Sequence, residues 1–166
     1  SLILPDSIVK IGGNAFGLCS GFSGKLILPS NLAVIEDYAF YGTSGFSGPL
    51  IFPNSITKIN KKAFAYCNGF DELILSNFVT EIDSEAFFGS KGFKKSLILP
   101  KYLTTIGKYA FAFCSKLSGV LIFREAVKAI YDYAFYNCTG FSGRLNFSDL
   151  ITKVYQYSFA KCTGLN

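Results

Sequence analysis

Five cysteines, Cys19, Cys67, Cys114, Cys138 and Cys162, are the side chains with the widest chemical range in this 166-residue chain. Histidine is absent. A Ser-His-Asp or Cys-His relay is therefore excluded, as is any zinc site that needs imidazole. No two cysteines have the close spacing of a metal knuckle. The carboxylates offer little more. Glu36-Asp37 and the run Glu81, Asp83, Glu85 are adjacent acids, but they converge with no nucleophile and read as solvated surface. There is no phosphate-binding loop, dinucleotide fingerprint or calcium loop. Asn137-Cys138-Thr139 and Asn146-Phe147-Ser148 match the glycosylation sequon, a match too frequent by chance to decide anything. No catalytic, cofactor or metal residues are assigned, and the chain reads as a non-enzyme.

The elements that must hold these residues follow from self-similarity. Ala-Phe pairs fall at 15/16, 39/40, 63/64, 86/87, 110/111 and 134/135, and Ser158-Phe159 continues the series in steps of 24, 24, 23, 24, 24 and 24. One residue is missing near Asp71. Seven coils result, at 1–24, 25–48, 49–71, 72–95, 96–119, 120–143 and 144–166. The whole chain is one repeat array with no linker, and such a period predicts a solenoid whose coils bury their apolar faces on one another.

Numbered within the coil, positions 2 and 4 are Leu or Phe throughout, which predicts a short strand with both side chains inward. Pro ends it in four coils. Apolar residues at 8 and 11 make a second anchor, and the spacing 11, 15, 19, 22 predicts a short helical turn. Gly at 21 and 24 turns the chain into the next strand. Phe16, Phe40, Phe64, Phe87, Phe111, Phe135 and Phe159 should stack as one column, and Phe22, Phe46, Phe70, Phe93 and Phe141, with Leu117 and Leu165, as most of another. The five cysteines share position 19 with Thr43 and Ser90, so they read as small buried residues at the turn. Stacked neighbours there keep their Cβ atoms nearly a strand spacing apart, against the roughly 3.8 Å a disulfide prefers.

Position 3 carries Ile3, Ile27, Ile51, Ile74, Ile98 and Ile122, then Asn146. Alternation points these side chains away from the core, onto the concave face of the sheet. Six in register form an apolar stripe of a size that signifies contact with a protein partner or a second copy. Strand propensity alone is the competing reading. Tyr109, Tyr133 and Tyr157 share position 14 with Tyr38, while Tyr131 and Tyr155 align two residues earlier. This row is a secondary recognition surface or, alternatively, lateral packing between coils. The net charge is +5, but the lysines form no single stripe tracking a phosphate backbone, which argues against nucleic acid. Nothing predicts insertion into a membrane.

The run LILPSNLAVIEDYAF (Leu26 to Phe40), followed by a small residue and then Gly-Phe, resembles the BspA-like leucine-rich repeat family. LILP (Leu97 to Pro100) with IGKYAFAFC (Ile106 to Cys114) is the most specific stretch, and the likeness covers all seven coils. The resemblance implies an α/β fold: a right-handed leucine-rich-repeat solenoid with a parallel β-sheet on the concave face and short helical turns on the convex side. A parallel β-helix is the second choice. The resemblance also implies a place at the cell surface or outside the cell, and adhesion to extracellular matrix or host surface proteins. A structural spacer or self-assembling unit is the alternative. In this family the middle strand position is often Thr; here it is Ile. Both ends are cut in phase with the repeat, so the chain is expected to be a segment of a longer array. The stacking reading makes a prediction. Ala110→Leu should overpack the space beside the Phe111 column and cost about 1–3 kcal/mol, read as a lowered melting temperature.

Overall fold

Apolar residues recur at two places in each coil, and the computed structural model, which describes residues 2–166, forms short strands at one or both of them. In chain order these are β1 (Leu2–Ile3), β2 (Lys10–Ile11), β3 (Leu26–Ile27), β4 (Val34–Ile35), β5 (Gly48–Ile51), β6 (Lys58–Ile59), β7 (Phe70–Ile74), β8 (Glu81–Ile82), β9 (Thr105–Ile106), β10 (Ala129–Ile130) and β11 (Lys153–Val154). All pairings are parallel, and apart from Gly48 with Phe70 each joins equivalent residues of successive coils. The molecule is a parallel β-solenoid.

Two expectations are corrected. The strand anticipated at positions 2–4 is present only in the first four coils, as the pairs β1-β3 and β5-β7. The longest sheet, β6-β8-β9-β10-β11, instead lies at positions 10 and 11, where a helical turn was expected to begin. Its register stacks Ile59, Ile82, Ile106, Ile130 and Val154. The second correction is that the described residues contain no helix. Spacings of four had suggested one, but the backbone closes three successive i to i+3 turns. In coil 5 the N–H groups of Ala110, Ala112 and Cys114 donate to the carbonyls of Gly107, Tyr109 and Phe111 at 3.1, 3.2 and 3.1 Å. The intervening N–H groups of Tyr109, Phe111 and Phe113 donate to Asp132, Ala134 and Tyr136 of the next coil at 3.0, 2.8 and 2.8 Å. A helix would have directed every N–H along its own axis.

This alternation dictates the backbone. Positions 14 and 18 have positive φ in every coil, as the third residue of a type II turn requires. Twelve of those fourteen residues are not glycine, and Tyr38, Tyr109, Tyr133 and Tyr157 are among them. The left-handed conformation costs roughly 1–2 kcal/mol per residue. At each of these positions in the first six coils, the N–H donates to a carbonyl of the next coil.

Inside, Phe40, Phe64, Phe87, Phe111 and Phe135 are fully buried and stack with Phe16 and Phe159 as one column, with ring centroids 5.0–6.1 Å apart. The widest gap, between Phe64 and Phe87, spans the short coil, and Phe52 stands edge-on to both rings. The second column stacks only through Phe22, Phe46 and Phe70; Phe93 and Phe141 meet Phe87 and Phe135 edge-on. At the short coil Gly48 pairs with Phe70 and Pro49 with Glu72, so the register shifts around Asp71.

Close approach between returns explains the glycines of position 21, although coil 5 holds Lys116 there. A Cβ on Gly69 would lie 1.8 Å from the Phe46 carbonyl oxygen, whereas one on Gly21 meets nothing within 4 Å. Gly69→Ala should therefore destabilise the protein by about 2–4 kcal/mol in denaturant titration, while Gly21→Ala leaves the midpoint nearly unchanged.

Candidate binding surfaces

The isoleucines of position 3 point outward. Ile3, Ile27, Ile51, Ile74, Ile98 and Ile122 are all exposed, from 40% at Ile74 to 71% at Ile3, while Leu26, Leu50, Leu73, Leu97 and Leu121 beside them are buried. Ile3 faces Ile27 across β1-β3, and Ile51 faces Ile74 across β5-β7. Ile98 lies outside any ladder, and Ile122 keeps only an isolated bridge to Asn146. Between these coils a side chain bonds the backbone instead: the Arg124 Nε–H donates to the Leu99 carbonyl at 3.0 Å.

This surface is broader than the isoleucines alone. Phe78, Tyr102 and Leu150, at position 7 of coils 4, 5 and 7, are exposed, and so is Val120. The Phe78 and Tyr102 rings lie 6.3 Å apart. A groove of about 620 Å³ runs between Tyr102, Ile122, Arg124 and Leu150. A second of about 520 Å³, lined by Ile98, Val120, Ile122 and Arg124, adjoins it. The reading by repeats missed position 7 because it is polar in the first three coils (Ser7, Asn31, Ser55). Comparing that position from coil to coil would have exposed the change to Phe78, Tyr102, Ala126 and Leu150.

The tyrosines pack on one another. Tyr109 and Tyr133 stack at 4.6 Å, Tyr133 and Tyr157 at 4.9 Å, and Tyr131 and Tyr155 at 4.9 Å. Ring faces are thus largely used between coils, although Tyr157 remains 58% exposed. Lys108 Nζ lies 5.6 Å from the Tyr109 centroid and Lys161 Nζ 5.4 Å from that of Tyr136. Phe88, Phe113 and Tyr136 face the Tyr109-Tyr133 stack across a groove of about 440 Å³, with Glu85 at its side.

The acidic run is tied to lysines of the preceding coil. Lys58 reaches Glu81 at 2.9 Å and Asp83 at 3.0 Å, and Lys62 reaches Glu85 at 3.3 Å. Burial pushes the Asp83 carboxyl up, but the Ser84 N–H and the Lys58 ammonium outweigh it and hold the group below its ordinary value. Such partly exposed pairs each add roughly 0–1 kcal/mol. Among the described residues no three His, Cys, Asp or Glu side chains gather as a metal site.

Four of the cysteines form a spine. Cys67, Cys114, Cys138 and Cys162 are buried and free, and each S–H donates to a phenylalanine carbonyl of the preceding coil at 2.9–3.0 Å. Thr43 and Ser90 make the same bond, at 3.0 Å to Phe16 and 2.7 Å to Phe64. Burial pushes the Cys67 and Cys114 thiols up to about 12 and raises those of Cys138 and Cys162.

A family model of the BspA type leucine-rich repeat region matches residues 1–94 and 49–166, with six copies of the repeat. The chain belongs to that family. Among solved structures it is similar to a leucine-rich repeat protein from Eubacterium ventriosum, with 21% identity, a TM-score of 0.79, and 96% of this chain and 42% of that one covered. It is also similar to a leucine rich cell surface protein from Faecalibacterium prausnitzii, with 21% identity, a TM-score of 0.70, and 98% and 51% covered. A leucine-rich repeat protein of T. pallidum matches at 22% identity with a TM-score of 0.65, covering 86% of this chain and 78% of that one. These likenesses establish a shared leucine-rich-repeat fold, and the chain spans about half or less of the length of the first two proteins. No curated protein matches by sequence. No helix among the described residues is long and apolar enough to cross a membrane.

The spine yields a prediction. Cys114→Ser should be nearly neutral, because Ser90 already makes the equivalent bond, whereas Cys114→Ala should cost about 1 kcal/mol in thermal unfolding. In the native protein an alkylating reagent should modify half-buried Cys19 first and spare the other four thiols until unfolding. Because folding raises these pKa values, their contribution to stability is full below the ordinary thiol value of 9.0 and is lost as pH rises towards about 12. Equal labelling of all five thiols in the native state would contradict the arrangement.

Proposed function

We propose that this chain is a non-enzymatic protein-binding module of a cell-surface protein, and that the exposed isoleucine row is its contact face. The observation that carries the reading is six outward isoleucines at one repeat position, widened by Phe78, Tyr102, Val120 and Leu150. A soluble monomer rarely exposes so continuous an apolar patch without using it. Membership of the BspA-type family, and the likeness to a protein described as a leucine rich cell surface protein, support placement outside the cell or on its surface. An extracellular matrix or host surface protein is the partner class that fits adhesion.

The test replaces Ile51, Ile74 and Ile98 with Thr. Covering one isoleucine is worth up to roughly 1.5–3 kcal/mol, so the triple variant should bind immobilised matrix proteins about tenfold or more weakly. Its unfolding midpoint should stay close to that of the parent, because these side chains are exposed in the native state. Equal binding by both proteins removes the row from consideration. If neither binds, but light scattering shows oligomers of the parent that the variant loses, a self-assembling spacer is the correct reading.

A further inference from the structure

The cysteine spine lies in the interior, so the side chains best placed to make a covalent bond between coils at the surface are tyrosines. Tyr109, Tyr133 and Tyr157 share one left-handed backbone conformation, with φ of 57, 58 and 57°, and this repeats the same ring placement in three consecutive coils. Their rings stack at 4.6 and 4.9 Å with interplanar angles of 12 and 21°. Tyr131 and Tyr155 form a parallel stack at 4.9 Å and 7° beside them. Tyr131, Tyr155 and Tyr157 are exposed, so an oxidant can reach both stacks from solvent. The other tyrosines are arranged differently. Tyr41 meets Tyr66 edge-on at 83°, and exposed Tyr102 has Phe78 as its aromatic neighbour.

We propose that these stacks are sites of oxidative cross-linking, where a haem peroxidase with hydrogen peroxide joins Tyr131 to Tyr155, and Tyr133 to Tyr109 or Tyr157. Each of the two phenols gives up one electron and its hydroxyl proton, and the peroxide takes both hydrogen equivalents to become two waters. The two ring radicals combine through a new carbon–carbon bond between the positions ortho to oxygen. Each displaced ortho hydrogen then moves as a proton to its own oxygen, restoring two phenols. Rings already held in contact need no diffusive encounter, which gives the intramolecular coupling a large advantage over coupling between molecules. The product is a staple between coils that the spacing of parallel cysteines does not provide.

The experiment treats the dilute native protein with horseradish peroxidase and hydrogen peroxide. Dityrosine fluorescence should appear in a species that stays monomeric. Tryptic digestion should join peptide 129–144 to peptide 154–161 or to peptide 109–116, with the loss of two hydrogens per bond. Tyr133→Phe with Tyr155→Phe preserves ring stacking and breaks both couplings, so the monomer's dityrosine should fall about tenfold. Unchanged dityrosine in this variant, or links formed chiefly between molecules through Tyr102, would overturn the proposal. A parent monomer that stays free of dityrosine while free tyrosine in the same mixture couples would do so as well.

Discussion

The structure depends on where successive backbone N–H groups point. Through positions 14 to 19 they alternate, one closing a turn within its coil and the next reaching a carbonyl of the following coil, except that the Cys67 N–H donates to Ser90 Oγ of the next coil. At positions 9 and 12 they reach backward instead, as when the Thr104 and Gly107 N–H groups donate to Thr80 and Ile82 at 2.8 Å. Each coil is therefore bonded to both neighbours by different stretches of its backbone. Buried backbone groups must be paired, and this arrangement pairs them without a helix. It places Ala and Phe of positions 15 and 16 inside in the middle coils, leaves position 14 and, apart from buried Gly89, position 18 at the surface, and requires the left-handed conformation at both.

Side-chain size then fills what the backbone leaves. Small residues at position 15 are buried at Ala39, Ala63, Ala86, Ala110, Ala134 and Ser158, next to the Phe column. Cys, Thr or Ser at position 19 reaches a carbonyl that has already accepted one turn bond in most coils. One polar atom of the right length meets that requirement, which is why three residue types interchange there. A thiol in this setting is a short hydrogen-bond donor, and burial keeps it protonated.

The period, the inward leucines and the outward isoleucines were legible because each is a matter of side-chain type at a repeat position. The turn region was not. Ile106, Ala110 and Cys114 are four apart, which is the spacing of a helix face, yet the chain passes through Tyr109 and Phe113 in a conformation that neither residue favours. Propensity reads one chain segment at a time, and here carbonyls of the neighbouring coil decide. The same cause hid the strand at positions 10 and 11, only two residues long in each coil and visible once stacked. At the candidate surface the isoleucines were anticipated, but Phe78, Tyr102 and Leu150 were not. They occur in three of the seven coils, and a consensus view averages them away.

Left-handed tyrosines carry a consequence for how such proteins diverge. Position 14 holds Asn, Tyr, Lys, Glu and then three Tyr along this one chain, and position 18 holds Leu, Gly, Tyr, Gly, Phe, Asn and Lys. Bonds from main chain to main chain set the shape there, so mutation can rewrite the outer skin one letter at a time while the scaffold stays put. Proteins that agree at only about a fifth of their residues can on that account superimpose over nearly all of this chain.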